Sequence, residues 1–93
     1  MIKIQFFSLI RILLKREATE IPWSEGDTVQ SVLDKTQEQI ATPFLHKLLD
    51  EQGTAHTGTI ILVNRKNILH LQGLQTTIDD NDVLAFFPPG AGG

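Results

Sequence analysis

The chain contains no cysteine. Disulfides, thiolate metal centres and a cysteine nucleophile are therefore excluded. Long apolar runs are missing too. The most hydrophobic stretch is the opening MIKIQFFSLIRILL, but Lys3, Gln5 and Arg11 interrupt it and no small-residue cleavage site follows. Neither a signal peptide nor a membrane span is expected from it. Basic residues number 8 against 11 acids, for a net charge of −3, and they form no stripe interleaved with aromatics. That excludes a nucleic-acid surface. The histidines His46, His56 and His70 stand alone, without metal-ligand spacing. The run DDND at Asp79–Asp82 lacks the spread of oxygen ligands and the closing glutamate of a calcium loop, and is expected to be a solvated turn. No glycine-rich phosphate loop opens a helix. The chain is accordingly expected to bind no cofactor or metal of its own, to touch neither nucleic acid nor membrane, and to work in the cytoplasm. Any chemistry must be done to it, inside a partner.

What the 93 residues do contain is the patterning of one small domain. Ile2, Ile4 and Phe6 alternate with Lys3, Gln5 and Phe7, the period of a half-buried strand running from Ile2 to Leu9. REATEIPW reads as a weaker second strand that Pro22 ends. Thr28, or Asp27 with Gln30 as a capping box, opens a helix with the apolar stripe Val29, Val32, Leu33, Thr36 and Ile40. Pro43 opens a short second helix, with Phe44, Leu45, Leu48 and Leu49 as its apolar side. DEQGTAHTG has the composition of an exposed loop. TIILVN predicts a central strand covered on both faces, NILHL a short edge strand and VLAFF the last strand. This order predicts an α+β domain of the β-grasp type over residues 1–87, a mixed sheet of four to five strands curled around one main helix. If Leu84 and Phe86 face that helix, Phe7 and Phe87 lie together on the opposite face of the sheet, an aromatic patch suited to docking a partner.

Residues 88–93 are expected to form an extended tail. Pro88 and Pro89 cannot donate ladder hydrogen bonds, and beyond them Gly90, Ala91, Gly92 and Gly93 carry nothing bulkier than a methyl group. Such a tail can thread a narrow channel and deliver its carboxylate to a buried site. A terminal carboxylate has a pKa of about 3.5 and is a poor electrophile at neutral pH. Adenylation by ATP gives it a leaving group, with magnesium and basic residues of a partner offsetting the phosphate charge. A sulfur donor can then displace AMP and leave a thiocarboxylate. That places a nucleophilic sulfur on a chain that has no cysteine.

Three segments carry a family likeness. MIKIQFFSLIR resembles the FFA-x-x-R first strand, ILVNRKNI the VN strand, and IDDNDVLAFFPPGAGG the DGDEVAFFPP-x-x-GG ending of the small, sulfur-carrying subunits of molybdopterin synthase, within the ubiquitin-like sulfur-carrier family. The similarity spans the chain and is strongest over its last thirty or so residues. Asn81 stands where the family has a turn glycine, Arg65 follows the VN pair where glycine is frequent, and Gly90 replaces the usual valine after the prolines. The resemblance implies that an adenylating enzyme of the ubiquitin-activating type, using ATP and magnesium, activates Gly93. A persulfide donor would supply the sulfur, and the large synthase subunit would receive the tail. It also implies that Arg11 meets an acidic group on a partner. Two other readings share the chemistry or the tail. One is a carrier for another sulfur pathway, such as thiamin, cysteine or tungsten-cofactor synthesis, although FFPP counts against the thiamin branch. The other is a ubiquitin-like modifier joined to lysines through Gly93.

Overall fold

The computed structural model describes residues 1–90. Strand β1, Ile2–Phe6, buries Ile2, Ile4 and Phe6 and leaves Lys3 outward, as its alternation predicts. It does not continue to Leu9. Ser8 takes a φ of 56°, and helix α1, Ser8–Leu14, follows at once and ends on Lys15 at a φ of 55°. The reason is local. Ile10 and Leu14, one helical turn apart, both reach the core, which an extended chain through Leu9 would not allow. Strand β2, Ala18–Ile21, then runs back antiparallel to β1.

Helix α2, Val29–Gln39, buries Val29, Val32, Leu33 and Thr36, the stripe read from the sequence. Its cap differs in one partner. The Ser31 N–H donates to Thr28 Oγ1 at 3.2 Å and the Thr28 N–H donates to Ser31 Oγ at 2.8 Å, so the capping box uses Ser31 rather than Gln30. Asp27, 5% exposed, lies just before the cap. Burial works against its ionisation, but hydrogen bonds from Lys35 Nζ at 2.7 Å, the Ser24 N–H at 2.9 Å and Ser31 Oγ at 2.8 Å outweigh it and hold the carboxyl below its usual range. A group depressed in the folded state contributes its full stability above the unfolded value and loses it as pH falls through the folded one. Asp27→Asn is therefore expected to be less stable than the parent by about 1–2 kcal/mol at neutral pH. In urea titrations the gap should shrink below about pH 4.

The second helix expected after Pro43 is a single 3₁₀ turn, Leu45–Lys47, although its apolar residues Phe44, Leu48 and Leu49 are buried as expected. Strands β3 (Ile60–Val63), β4 (Lys66–Asn67) and β5 (Val83–Phe87) complete a five-stranded sheet in the order β2-β1-β5-β3-β4. The β1–β5 pair is parallel and the other pairs are antiparallel. This is the ubiquitin-like β-grasp arrangement. Two details correct the sequence reading. The middle position belongs to β5, and β3 is open on its outer face, where Ile60 is 41% exposed. The edge strand is Lys66–Asn67, while Ile68–His70 forms a 3₁₀ turn.

The inner face of the sheet carries an aromatic cluster that takes in Phe44 from the segment after α2. Phe6 lies edge-on to Phe44 and Phe86, at centroid separations of 5.9 and 6.1 Å. The β3–β4 hairpin turns through Asn64 and Arg65, both left-handed at φ 49° and 73°. Such turns favour Asn-Gly, because only glycine takes the second position without strain. Arg65→Gly is expected to raise stability by about 0.5–1 kcal/mol, read as a higher urea midpoint with an unchanged slope. Asn64 also secures β5. Its Oδ1 accepts from the Val83 N–H at 3.0 Å, and its Nδ2 donates to Asp82 Oδ1 at 2.8 Å. The Asp79–Asp82 run is a turn around Asn81, whose φ of 71° is the left-handed value that the substituted glycine would take.

Candidate functional site

The outer face of the sheet is the side away from α2. Strand β1 directs Lys3 and Gln5 outward, β5 directs Val83, Ala85 and Phe87 outward, and β3 directs Ile60 and Leu62 outward. The register places Gln5, Ala85 and Leu62 side by side, so a small residue lies in the middle and larger ones surround it. The result is a groove of about 470 Å³ lined in part by Phe7, Leu62, Arg65 and Phe87.

At one end of this groove the two half-buried phenylalanines stack. The Phe7 and Phe87 rings lie 4.4 Å apart with planes 8° from parallel. The Phe7 N–H donates to the Phe86 carbonyl at 3.1 Å, which carries the β1–β5 pairing one residue further and brings the rings together. Arg11 is four residues beyond Phe7 on α1, and its guanidinium carbon is 5.4 Å from the Phe7 ring centroid. Its Nη2 donates to Glu17 Oε1 at 3.0 Å. Arg11, expected at a strand end, is thus on a helix, and the helix folds it back over the aromatic pair. Phe7 and Arg11, one helical turn apart, and Phe87 from the other end of the domain form one contiguous patch.

The tail leaves directly from this patch. Pro88 is buried and Pro89 is half-buried, so the folded body extends two residues beyond Phe87 before Gly90 becomes exposed. Ala91, Gly92 and Gly93, where the reactive carboxylate is expected, lie outside the described residues. Among the described residues no group of three or more His, Asp or Glu side chains is placed to hold a metal ion. His56 instead serves the backbone, with Nε2 2.8 Å from the His46 carbonyl oxygen. No helix among the described residues is long and apolar enough to cross a membrane.

Sequence reasoning missed the groove between Phe87 and Arg65. Val83, Ala85 and Phe87 do alternate with Leu84 and Phe86, and the outward set could have been read from that period. Leu62 was concealed by the apolar run of β3, whose two faces look alike in sequence.

The family model described as the ThiS family matches residues 4–93. Small archaeal modifier protein 3 of Haloferax volcanii is 31% identical over 94 residues, covering 99% of this chain and 98% of that protein. The crystal structure of small archaeal modifier protein 1 from the same organism superposes with a TM-score of 0.82 at 22% identity, over 99% of this chain and 98% of that one. A Pyrococcus furiosus structure with the provisional name molybdopterin converting factor, subunit 1, superposes with a TM-score of 0.69 at 21% identity, over 96% and 97% of the two chains. Proteins of this kind are small ubiquitin-like carriers and modifiers, not catalysts themselves. A match running from β1 through Gly93, together with a relative similar along its whole length, places the chain in the ThiS family of ubiquitin-like sulfur carriers.

Proposed function

We propose that this chain is a sulfur carrier for molybdenum cofactor synthesis, acting as the small subunit of a molybdopterin synthase. An adenylating partner would couple the Gly93 carboxylate to AMP, using ATP and magnesium. The terminal sulfur of a persulfide donor would displace AMP to give an acyl disulfide, and a thiol of the donor system would reduce that disulfide to free the thiocarboxylate. The large subunit would receive it and pass the sulfur to a pterin precursor. The observation that carries this reading is the half-buried Phe7–Phe87 stack with Arg11 over Phe7, an aromatic and cationic patch at the root of the tail. It offers a partner a desolvated anchor a few residues from the reactive end. A patch so close to the tail suits a protein whose only reactive group must be held inside another molecule.

The test is mass spectrometry of the chain purified from its native cell. The expected species is heavier by the exchange of one oxygen for one sulfur at Gly93. Incubation of that species with the large subunit and precursor should return the carboxylate. Isolation of Gly93 only in isopeptide bonds to lysines would replace this reading with the modifier one. The 31% identity to a small archaeal modifier protein is the observation favouring that second reading.

The patch itself is tested by two substitutions. Phe87→Ala removes half of the stack and is expected to weaken binding to the activating enzyme and the large subunit by about 2 kcal/mol. Arg11→Lys retains the charge but loses the two-pronged grip on a carboxylate, with an expected loss of about 1–2 kcal/mol. Glu17, which pairs with Arg11 in the free chain, is 81% exposed and free to yield to a partner's acid. Titration calorimetry at two salt concentrations reads both effects. Affinities equal to the parent's for both variants would remove the patch from the interface.

A further inference from the structure

The segment Asp50–Gly58 looks from its composition like a loose loop, and the proposed function assigns it nothing. It is in fact closed on itself at Asp50 and tied to the body through His56 and the adjoining Thr59. The Asp50 N–H donates to the Thr54 carbonyl at 2.8 Å, and Asp50 Oδ1 accepts from the N–H groups of Gln52 and Thr54 at 2.9 Å each. The His56 N–H and Thr59 Oγ1 both donate to the Leu48 carbonyl at 2.9 Å, and His56 Nε2 lies against the His46 carbonyl. Leu48 is fully buried, so the loop is held by the core.

The place to which this brace delivers the chain is Gly58, at a φ of 94°. A Cβ at this position would stand 3.4 Å from Pro89 Cβ and 3.6 Å from Pro89 Cα, ordinary van der Waals contact, so the exposed glycine and the proline are neighbours. The first carbon of any side chain placed here would rest against Pro89. Gly53, in the same loop at a φ of 82°, has no heavy atom within 4 Å of the corresponding point. The backbone demands glycine at both positions, but only Gly58 has something above it.

We infer that Gly58 is a seat for Pro89 and fixes the direction in which the chain leaves the sheet toward Gly93, which makes it a positioning residue for activation of the tail; the role in activation rests on the carrier reading above. The physics is that of preorganisation. Pro88 and Pro89 each have a fixed φ, so one contact on the second ring orients the exit, and a partner then need not supply the entropy of aligning it.

The test compares Gly58→Leu with Gly53→Leu. Both put a leucine on a left-handed backbone in one loop, so strain and loss of stability are shared, and only the contact with Pro89 differs. Nuclear Overhauser contacts between Gly58 Hα and the Pro89 ring, together with ¹⁵N relaxation of the Gly90 amide, read the seat directly. The contacts should be present in the parent and in Gly53→Leu. In Gly58→Leu, cross-peaks from residue 58 to the ring should change and Gly90 should become more mobile. ATP–pyrophosphate exchange by the activating enzyme reads the consequence. Gly58→Leu should raise the KM for the carrier about three- to tenfold over Gly53→Leu, with kcat little changed. Identical relaxation and ring contacts in the two variants would overturn the seat, and altered relaxation with equal KM values would overturn its role in activation. Absence of exchange with the parent chain would count against the carrier reading instead, and the nuclear magnetic resonance comparison would still decide the seat.

Discussion

Extending the chain beyond Gly93, or removing Gly93, is expected to abolish ATP-dependent activation without changing the unfolding curve. On the carrier reading the reacting group is the terminal carboxylate itself. In an extended chain that group becomes an amide, which has no ionised oxygen to attack the α-phosphate of ATP. In a chain ending at Gly92 a carboxylate remains, but it is withdrawn by about 3.3–3.6 Å. Reacting atoms must approach to about 3–3.5 Å, so one residue of withdrawal takes the group out of reach. Among the described residues burial falls from Pro88 through half-buried Pro89 to exposed Gly90, and on that trend stability should not respond. ATP–pyrophosphate exchange with the parent and both variants measures the loss. Undiminished adenylation of the extended form would overturn the sulfur-carrier reading.

Phe44→Ala is expected to have the largest effect on the fold, a loss of about 3–5 kcal/mol. Phe44 belongs to no strand or helix, yet it is fully buried and packs on both Phe6 and Phe86. It joins the segment after α2 to the two middle strands. A domain of this size has a total stability of roughly 5–15 kcal/mol, so one missing ring removes a large part of the margin. Urea unfolding followed by circular dichroism gives the number. Ile12→Ala is the matched comparison: Ile12 is 71% exposed, and its loss should change stability by no more than about 0.5 kcal/mol. A Phe44→Ala loss below about 1 kcal/mol would mean that the ring is not packed as described.

The contrast between these two residues also explains what could be read from the sequence. Periodicity works where one face is buried and the other wet. It located α2, where Val29, Val32, Leu33 and Thr36 face inward and Gln30 and Asp34 do not, and it located β1 and β5 for the same reason. Helix α1 escaped because Leu9, Ile12 and Leu13 are apolar and exposed while Ile10 and Leu14 are apolar and buried, so burial left no trace in residue type. TIILVN suggested a two-sided strand because its outward residues, Ile60 and Leu62, are as apolar as its inward ones. The patch was partly legible. Phe7 and Phe87 follow from alternation, and Arg11 came from the family likeness, but its position over Phe7 needed the helix. The seat at Gly58 was illegible. A glycine in a polar loop says only that the backbone turns there, and the ring above it comes from the other end of the chain.

The position of β5 bears on how the protein is made. Its partners are β1, which precedes it by some eighty residues, and β3, and it stands between them in the sheet. A nascent chain therefore has two unconnected hairpin fragments and no sheet until residues 83–87 leave the ribosome. Pairing Ile4 with Leu84 closes nearly the whole chain into one loop, an entropic penalty that slows folding and delays cooperative structure to the last step. Any product of interrupted translation ending before Val83 lacks the strand that joins the halves, and it also lacks Phe87 and the root of the tail. On the carrier reading such fragments offer an activating enzyme no mounted tail, so in this topology closure of the fold and readiness for activation come together.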